Sequence, residues 1–305
     1  MTAPTTALVL GEALIDIVRR GSHEADHAGG SPMNVAVGLS RLGVPTTLAT
    51  WIGRDERGQL IRKHCADSDV HLVPGSDRAE RTPTALATID DSGSAKYTFD
   101  LSWELPPIPK WLHPTVVHTG SIAAVLEPGG DAVLEAVKAA APSSTITYDP
   151  NARPAIIGPA ETAGLRIDEL VRLADVVKVS DEDLAYLAPD RDALEAAAGW
   201  LEGGPAIVVV TRGAEGSVAL TGTGLWVEAP PRAAVVVDTV GAGDAFMSGL
   251  IWGLDKAGLL GADRREALRG IGETRLREVL EVATRVASIT VGRAGANPPR
   301  LAELQ

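Results

Sequence analysis

Gly241-Ala242-Gly243-Asp244 carries the clearest chemistry in this chain. It lies within Asp238-Thr239-Val240-Gly241-Ala242-Gly243-Asp244-Ala245-Phe246, with an apolar run at 233–237 before it and another at 245–254 after it. The pattern predicts a strand or extended segment that enters a glycine-rich loop, which then opens a helix. The first N–H groups of a helix lack intrahelical acceptors and lie at the positive end of its dipole, so such a turn is a ready anion site. Gly241 and Gly243 have no side chain to keep a phosphate from the backbone. A carboxylate at Asp244 would then take the proton from a hydroxyl attacking that phosphate. Cradle and base in one turn point to phosphoryl transfer. The plain alternative is a tight turn with Asp244 as a helix cap, and these residues alone leave both readings open. Two other phosphate motifs are excluded: Phe246 stands where Gly-x-Gly-x-x-Gly needs its third glycine, and no Gly-Lys-Ser/Thr follows.

The elements that must hold this turn are legible as alternating runs. Short apolar segments at 6–10, 47–52, 115–118, 145–148, 176–179 and 207–211 read as strands, and helix-period segments at 34–42, 131–141, 182–187, 193–201, 245–256 and 274–290 are interspersed with them. In the last of these, Leu276, Val279, Leu280, Ala283, Val286 and Ala287 draw one apolar stripe. The alternation predicts an α/β fold: a mostly parallel sheet covered by helices on both faces, with ligands at the carboxyl ends of its strands. Two segments interrupt it. Residues 14–28 and 84–101 read as hairpin-like pieces with polar alternation, with Asp91-Ser92-Gly93-Ser94 as the turn inside the second, and β-pieces inserted in this way suggest a lid. No repeat or low-complexity tract divides the chain, and Pro106-Pro107-Ile108-Pro109 reads as a rigid connector.

Further ligand-type residues stand at strand ends. Asp16 follows the first strand, the pair Gly29-Gly30 lets backbone approach a ligand closely, and Asn34 begins a helix. Sugar hydroxyls both donate and accept, so a sugar site needs fixed groups of this kind; a solvated loop acid and a helix cap are the plain alternatives. In Asp149-Pro150-Asn151-Ala152-Arg153-Pro154, Arg153 can meet a phosphate or an acceptor, or simply face solvent. Lys178-Val179-Ser180-Asp181-Glu182-Asp183 ends a strand and opens a helix, whose N-terminus favours acidic residues whatever their function. Thr211-Arg212-Gly213-Ala214-Glu215-Gly216 is a glycine turn after a strand.

Asp238 to Asp244 resembles the second signature of the PfkB, or ribokinase-like, family of sugar kinases. Gly29-Gly30-Ser31-Pro32-Met33-Asn34-Val35-Ala36 through Leu42-Gly43 resembles the family's N-terminal signature. The similarity runs from about residue 8 to 298. It implies a ribokinase-like, doubly wound α/β fold over a single kinase domain, 1–305, with a β-lid built from about 14–28 and 84–101. It implies Asp244 as catalytic base and the Gly241, Ala242 and Gly243 N–H groups as anion hole for the γ-phosphoryl of ATP. Asp16, Gly29, Gly30, Asn34 and Arg153 fall on the sugar side by the same resemblance, and Lys178, Thr211, Gly213, Gly216 and Asn297 on the nucleotide side. Mg²⁺ would be organised through water by Asp183, although Ser180 and Asp183 replace the Asn and Glu frequent at these positions. Carbonyls around Asp238 and Val240, with the closing loop 291–298, are where many members hold a monovalent cation such as K⁺; Asn297 replaces a frequent serine there. The family's lid commonly takes part in homodimer contacts. Gly11-Glu12, Thr82-Pro83-Thr84, Tyr97 with Phe99, and Asp-Pro-Asn-x-Arg resemble the fructokinase-like branch, which makes fructose the first acceptor to expect. Ketodeoxygluconate and ribose are the alternatives; Tyr97-Thr98-Phe99-Asp100-Leu101 lacks the Tyr-Tyr-Arg-type element that ketodeoxygluconate kinases often use.

Composition narrows the partners. With 40 acidic against 28 basic residues and a net charge of −12, the 305-residue chain is not expected to bind nucleic acid or an anionic membrane. Its 45% apolar and 22% charged residues suit a globular protein. The lone Cys65 excludes an internal disulfide and suggests a reducing cytoplasm. The stretch 7–18 is broken by Glu12 and Asp16 and lacks a basic leader, so neither signal peptide nor anchor is expected. His23-Glu24-Ala25-Asp26-His27 matches the zincin string, but Gly21-Ser22 and Ala28-Gly29-Gly30 leave room for only about one helical turn, and a zinc protease is not expected. A non-catalytic sugar sensor would keep the fold, yet would have no need of Asp244 beside Gly-Ala-Gly.

Overall fold

The computed structural model describes residues 4–21, 23–89, 95–232 and 234–304. In chain order, β1 (Ala7–Leu10) leads to the hairpin of β2 (Leu14–Arg20) and β3 (His23–Gly29), then α1 (Ser31–Arg41), β4 (Thr46–Ala49), α2 (Glu56–Ala66) and the short β5 (His71–Leu72). Strands β6 (Thr84–Ile89) and β7 (Ala95–Asp100) precede β8 (Val116–Gly120), α3 (Gly129–Ala140), β9 (Thr145–Asp149), the one-turn α4 (Pro154–Ile157) and α5 (Ala160–Leu173). Next come β10 (Val176–Ser180), α6 (Asp181–Leu187), α7 (Ala193–Leu201), β11 (Ile207–Thr211), β12 (Ser217–Thr221) and β13 (Trp226–Ala229). Helices α8 (Ala242–Lys256), α9 (Arg265–Arg269) and α10 (Glu273–Val291) follow.

The large sheet has the order β13-β12-β11-β10-β9-β8-β1-β4-β5, parallel from β11 to β5, with β12 and β13 antiparallel at one edge. Its central strands are buried on both faces, which is why they read as unbroken apolar runs. Val9, Val176, Ile207 and Val209 pack in the cluster that holds α1, α8 and α10. Leu10, Val117, Tyr148, Val177 and Val210 pack with α3, α5, α6 and α7. The α10 stripe is observed as expected, with Leu276, Val279, Leu280, Ala283 and Val286 buried.

The second sheet, β3-β2-β6-β7, is the expected lid. Ile15 and Ile17 point one of its faces into the core, while Val18, Tyr97 and Phe99 stand exposed on the other. The zincin-like string lies in β3, where residues four apart are separated by roughly 13 Å and cannot share a metal ion. Some details differ from the sequence reading. Residues 234–237 form neither strand nor helix and join neither sheet; Val237 N–H donates to Val291 O, and Val235, Val236 and Val237 are exposed. Helix α8 begins at Ala242 and α1 at Ser31, each three residues earlier than the apolar periodicity suggested, because glycine caps both and Pro32 fits a first helical turn. Residue 233 and the turn expected at 91–94 lie outside the described residues.

Helix α8 is wedged between α1 and α10, and small residues permit it. A Cβ on Gly38 of α1 would strike Ser248 of α8, and one on Gly249 would lie 2.8 Å from the Ala283 Cα of α10. Because the obstacle at Gly249 is backbone, Gly249→Ala should destabilise by about 1–3 kcal/mol even after the helix-propensity gain of roughly 1 kcal/mol. Gly164→Ala, mid-α5 with nothing within 4 Å of the added methyl, should instead stabilise by up to about 1 kcal/mol. Urea unfolding of the two variants checks the contrast, and equal stabilities would refute this packing argument.

Candidate active site

The expected residues gather at the carboxyl ends of β1, β8, β9 and β10, beside the point where strand order reverses: β1 has β4 on one side and β8 on the other. The head of α8 points into this region. Gly241 caps it in the left-handed region (φ +74°), where a Cβ would stand 2.5 Å from that of Ala296. The expected trio of cradle donors needs correction. Ala242 N–H donates to Thr239 O at 3.2 Å, closing the turn that starts the helix. Among the described residues the N–H groups of Gly241, Gly243 and Asp244 have no acceptor, as the first turn of a helix requires unless a ligand supplies one.

Asp244 is not a cap. Its buried carboxylate accepts from Ser31 Oγ (2.6 Å) and Asn34 Nδ2 (2.8 Å), both on α1. The Asn34 amide nitrogen, expected on the sugar side, is thus spent on Asp244, while its Oδ1 is buried without a partner. Gly30, at φ +115°, caps α1 with its Cα against the β1–β2 turn; a Cβ would lie 2.5 Å from Glu12 O. A Cβ on Gly29 would strike the Asp16 carboxylate, so this glycine is what admits Asp16. Burial pushes the Asp16 carboxyl upward, against the opposing pull of His27, its directly opposite partner on β3, and of Arg153. Arg153 is exposed, and its guanidinium donates to the carbonyls of Asn151 and Ala152.

On the other flank, Lys178 is buried and paired with Asp149 (2.7 Å). Asp183 is buried as well: Oδ1 accepts from Ala152 N–H (2.7 Å) and Oδ2 from Ser180 N–H (3.1 Å), while Ser180 Oγ accepts from Asp183 N–H (3.0 Å). It closes the head of α6 as a capping box, leaving to a water-borne metal only the lone pairs these bonds do not use. Among the described residues no cluster of metal-ligating side chains is present. Thr211, register partner of Ser180, ends β11; Gly213 opens the following single turn, and a Cβ on Gly216 would strike Ala229 O. The Asp238 carboxylate bonds Val240 N–H (3.0 Å) and Gly295 N–H (2.9 Å), which ties two loops together. Asn297 Oδ1 accepts from Arg41 Nη1 of α1 (2.6 Å), so its side chain anchors the closing loop to α1.

Two residues were given no site role by the sequence reading, although both lie in motifs it quoted. Ser31 shares a helix face with Asn34, three positions on, and that spacing was the available signal. Glu12, just past β1, is buried and accepts from Ala123 N–H (3.2 Å); burial pushes its carboxyl up to about 7, with the Asp244 charge adding to the rise.

A family model described as pfkB family carbohydrate kinase matches residues 5–303. A fructokinase from Rhizobium leguminosarum bv. trifolii is 34% identical over 83% of this chain and 81% of its own, and a fructokinase from Escherichia coli is 31% identical over 94% of both. Among solved structures, fructokinase with bound ATP from Xylella fastidiosa superposes with a TM-score of 0.82 at 26% identity, covering 98% of this chain and 96% of that one. No helix among the described residues is long and apolar enough to cross a membrane.

Glu12 yields a pH prediction. Between its ordinary 4.5 and about 7 the folded chain keeps a proton that the unfolded chain has lost, so stability falls as pH rises through that window. Glu12→Gln removes the penalty. Its gain over wild type should be larger at pH 8 than at pH 5 by about 2 kcal/mol. Denaturant titrations at the two pH values measure this, and a pH-independent difference would contradict it.

Proposed function

The chain belongs to the pfkB family of carbohydrate kinases, and we propose that it phosphorylates fructose with Mg·ATP as donor. The observation that carries this reading is the Asp244 carboxylate, held by Ser31 and Asn34 on the same helical turn as N–H groups that lack acceptors. In the reaction, an acceptor hydroxyl oxygen attacks the γ-phosphorus as the bond to the β,γ-bridging oxygen breaks. The hydroxyl proton passes to Asp244, and ADP leaves with the bridging oxygen. The N–H groups of Gly241, Gly243 and Asp244 receive the charge on the transferring group, and because helix geometry fixes them in advance they need no reorganisation.

Asp16, reaching in from the lid past Gly29, holds acceptor hydroxyls together with backbone at Gly30 and the unpartnered Asn34 Oδ1. Arg153, close enough to Asp16 to influence its ionisation, closes the same side. Lys178, Thr211, Gly213 and Gly216 line the donor side. Asp183 would orient the nucleotide's Mg²⁺ through water, and that ion would supply charge neutralisation on the phosphates. A K⁺ ion would rest on carbonyls of the two loops that Asp238 joins, not on its committed carboxylate. The whole chain acts as one kinase unit in the cytoplasm, and the exposed lid face with Val18, Tyr97 and Phe99 pairs with a second copy.

ADP release should depend on fructose in a panel with ribose, 2-keto-3-deoxygluconate, adenosine and fructose 6-phosphate. Asp244→Asn should lower turnover by at least about a thousandfold while fructose still binds. Retained turnover would remove Asp244 as base, and turnover on another sugar alone would change the acceptor. Tyr97→Lys should shift sedimentation toward a monomer, and an unchanged profile would remove the lid as the pairing surface.

A further inference from the structure

We propose that Lys178 is a further catalytic residue whose ammonium donates to the phosphoryl group in transit, and that Asp149 is the positioning residue that aims it. The proposal rests on the kinase reading above and extends it from nucleotide binding to the reacting group.

Lys178 and Asp149 sit side by side, one step beyond the Val177–Tyr148 pair of β10 and β9. Lys178 Nζ donates to Asp149 Oδ2 at 2.7 Å, with the side chains 4% and 0% exposed. An ammonium has three protons, and among the described residues only Asp149 accepts one. A buried cation with spare donors is costly unless something completes its shell. The direction in which those donors can act is set by a second observation. A Cβ on Gly243 would lie 3.0 Å from Lys178 Nζ, and nothing else comes within 4 Å of it. The ammonium therefore rests against the turn that presents the free N–H groups of α8. Gly243 is needed as much for this cation as for the approach of a phosphate.

Charge accounting leads to the same place. Lys178 feels Asp149, Asp183 and Asp244 together, and although burial opposes its charge these carboxylates raise its pKa. A polyphosphate entering a site with so many carboxylates needs a fixed cation at the point where charge accumulates. His118, one pleat deeper and bonded to Thr147 Oγ1, adds no charge there, because burial and then the Lys178 charge hold its pKa down at about 3 and leave it neutral. Asp149 Oδ1 is buried without a partner, and Asp149 Oδ2 is spent on the bond that fixes Lys178.

Replacing one member of a buried pair strands the other, so Lys178→Met and Asp149→Asn can fail to fold. The deciding variant is the double Asp149→Asn/Lys178→Met, which removes both charges and keeps the volume. It should fold with a melting temperature close to wild type, because neutral replacements of buried pairs are often tolerated. If the pair were merely structural, turnover would return with the fold. We expect instead that kcat stays about a hundredfold or more below wild type while KM for fructose and for Mg·ATP moves less than about threefold. Lys178→Arg, where it folds, should recover part of the loss. A readout independent of the acceptor sugar is the affinity for Mg·ADP with aluminium fluoride, a mimic of the phosphoryl group in transit. It should weaken about a hundredfold in the double variant, with Mg·ADP alone unchanged. Restored kcat, or equal weakening of Mg·ADP and of the fluoride complex, would overturn the proposal. Wild-type protein that binds the fluoride complex yet turns over no panel sugar would count against the acceptor assignment and leave Lys178 judged by binding. Wild type that binds no Mg·ADP would sink both readings.

Discussion

The hydrogen bonds from Ser31 Oγ and Asn34 Nδ2 to the Asp244 carboxylate join residues 213 and 210 positions apart in sequence. Much of the site's geometry depends on them. Asp244 and the unpartnered N–H groups share the first turn of α8, so their mutual spacing is set by helix geometry and needs no tertiary adjustment. What packing must supply is direction, meaning where that turn points relative to the strand ends and the lid. Helix α1 provides it. Gly30 seats the start of α1 against the β1–β2 turn, Gly38 lets α8 lie close, and Ser31 and Asn34 then reach the carboxylate. Behind α8, Gly249 admits α10 most closely and Gly253 somewhat less so. The helix that carries the chemistry is thus gripped on both sides along most of its buried length.

The site also shows how a chain of net charge −12 keeps several acids near a phosphate-binding turn. Each carboxylate is handled differently. Asp183 and Asp238 accept backbone N–H groups, which hold negative charge without a counter-ion. Glu12 is pushed up by burial to about 7 and carries its proton through much of the acid range. Asp149, pushed up by burial to about 6 but drawn back by Lys178, is ionised beside its partner at neutral pH. Asp244 is bonded by a hydroxyl and an amide, donors that orient it without adding positive charge.

The architecture was legible because its signals are local. Strands buried on both faces read as apolar runs, the α10 stripe follows the helical period, and the lid strands show polar alternation. The glycine turn and its aspartate were legible as an anion site for the same reason. What escaped involves partners distant in sequence or bonds that leave no pattern. Nothing near Ala242 announces that its N–H will close on Thr239, and nothing near Asp183 shows that both oxygens will be taken by backbone. Ser31 and Glu12 acquire meaning only when α1, α8 and the β8 end converge. The bond of Asn297 to Arg41 left no signal because the two lie 256 residues apart. The valines at 235–237 look like a strand by composition, yet they join neither sheet.

Arg41 leads to an asymmetry between the two halves of the site. Its guanidinium reaches from the last turn of α1 to Asn297 Oδ1 and to Pro298 O (2.7 Å), so α1 touches the Asp244 carboxylate at one end and the closing loop at the other. The same loop is fixed again by Gly295 N–H to Asp238, by Val237 N–H to Val291 O, and by Ala296 against Gly241. Four independent attachments make the donor side one rigid piece with α1 and α8. Among the described residues the acceptor side is tied to the body less by polar bonds than by the apolar packing of Ile15 and Ile17. Asp16 is carried by a four-stranded sheet whose open face is exposed and whose polar ties to the body include Arg57 with Asp26 and Glu24 on the surface, pairs worth little in water. Motion that admits a sugar is therefore expected in the lid, while Asp244, the N–H groups and the loop bearing Asp238 stay fixed. For an in-line transfer that is the favourable division: the groups that meet developing charge are preorganised, and the element that has only to hold an acceptor is free to move.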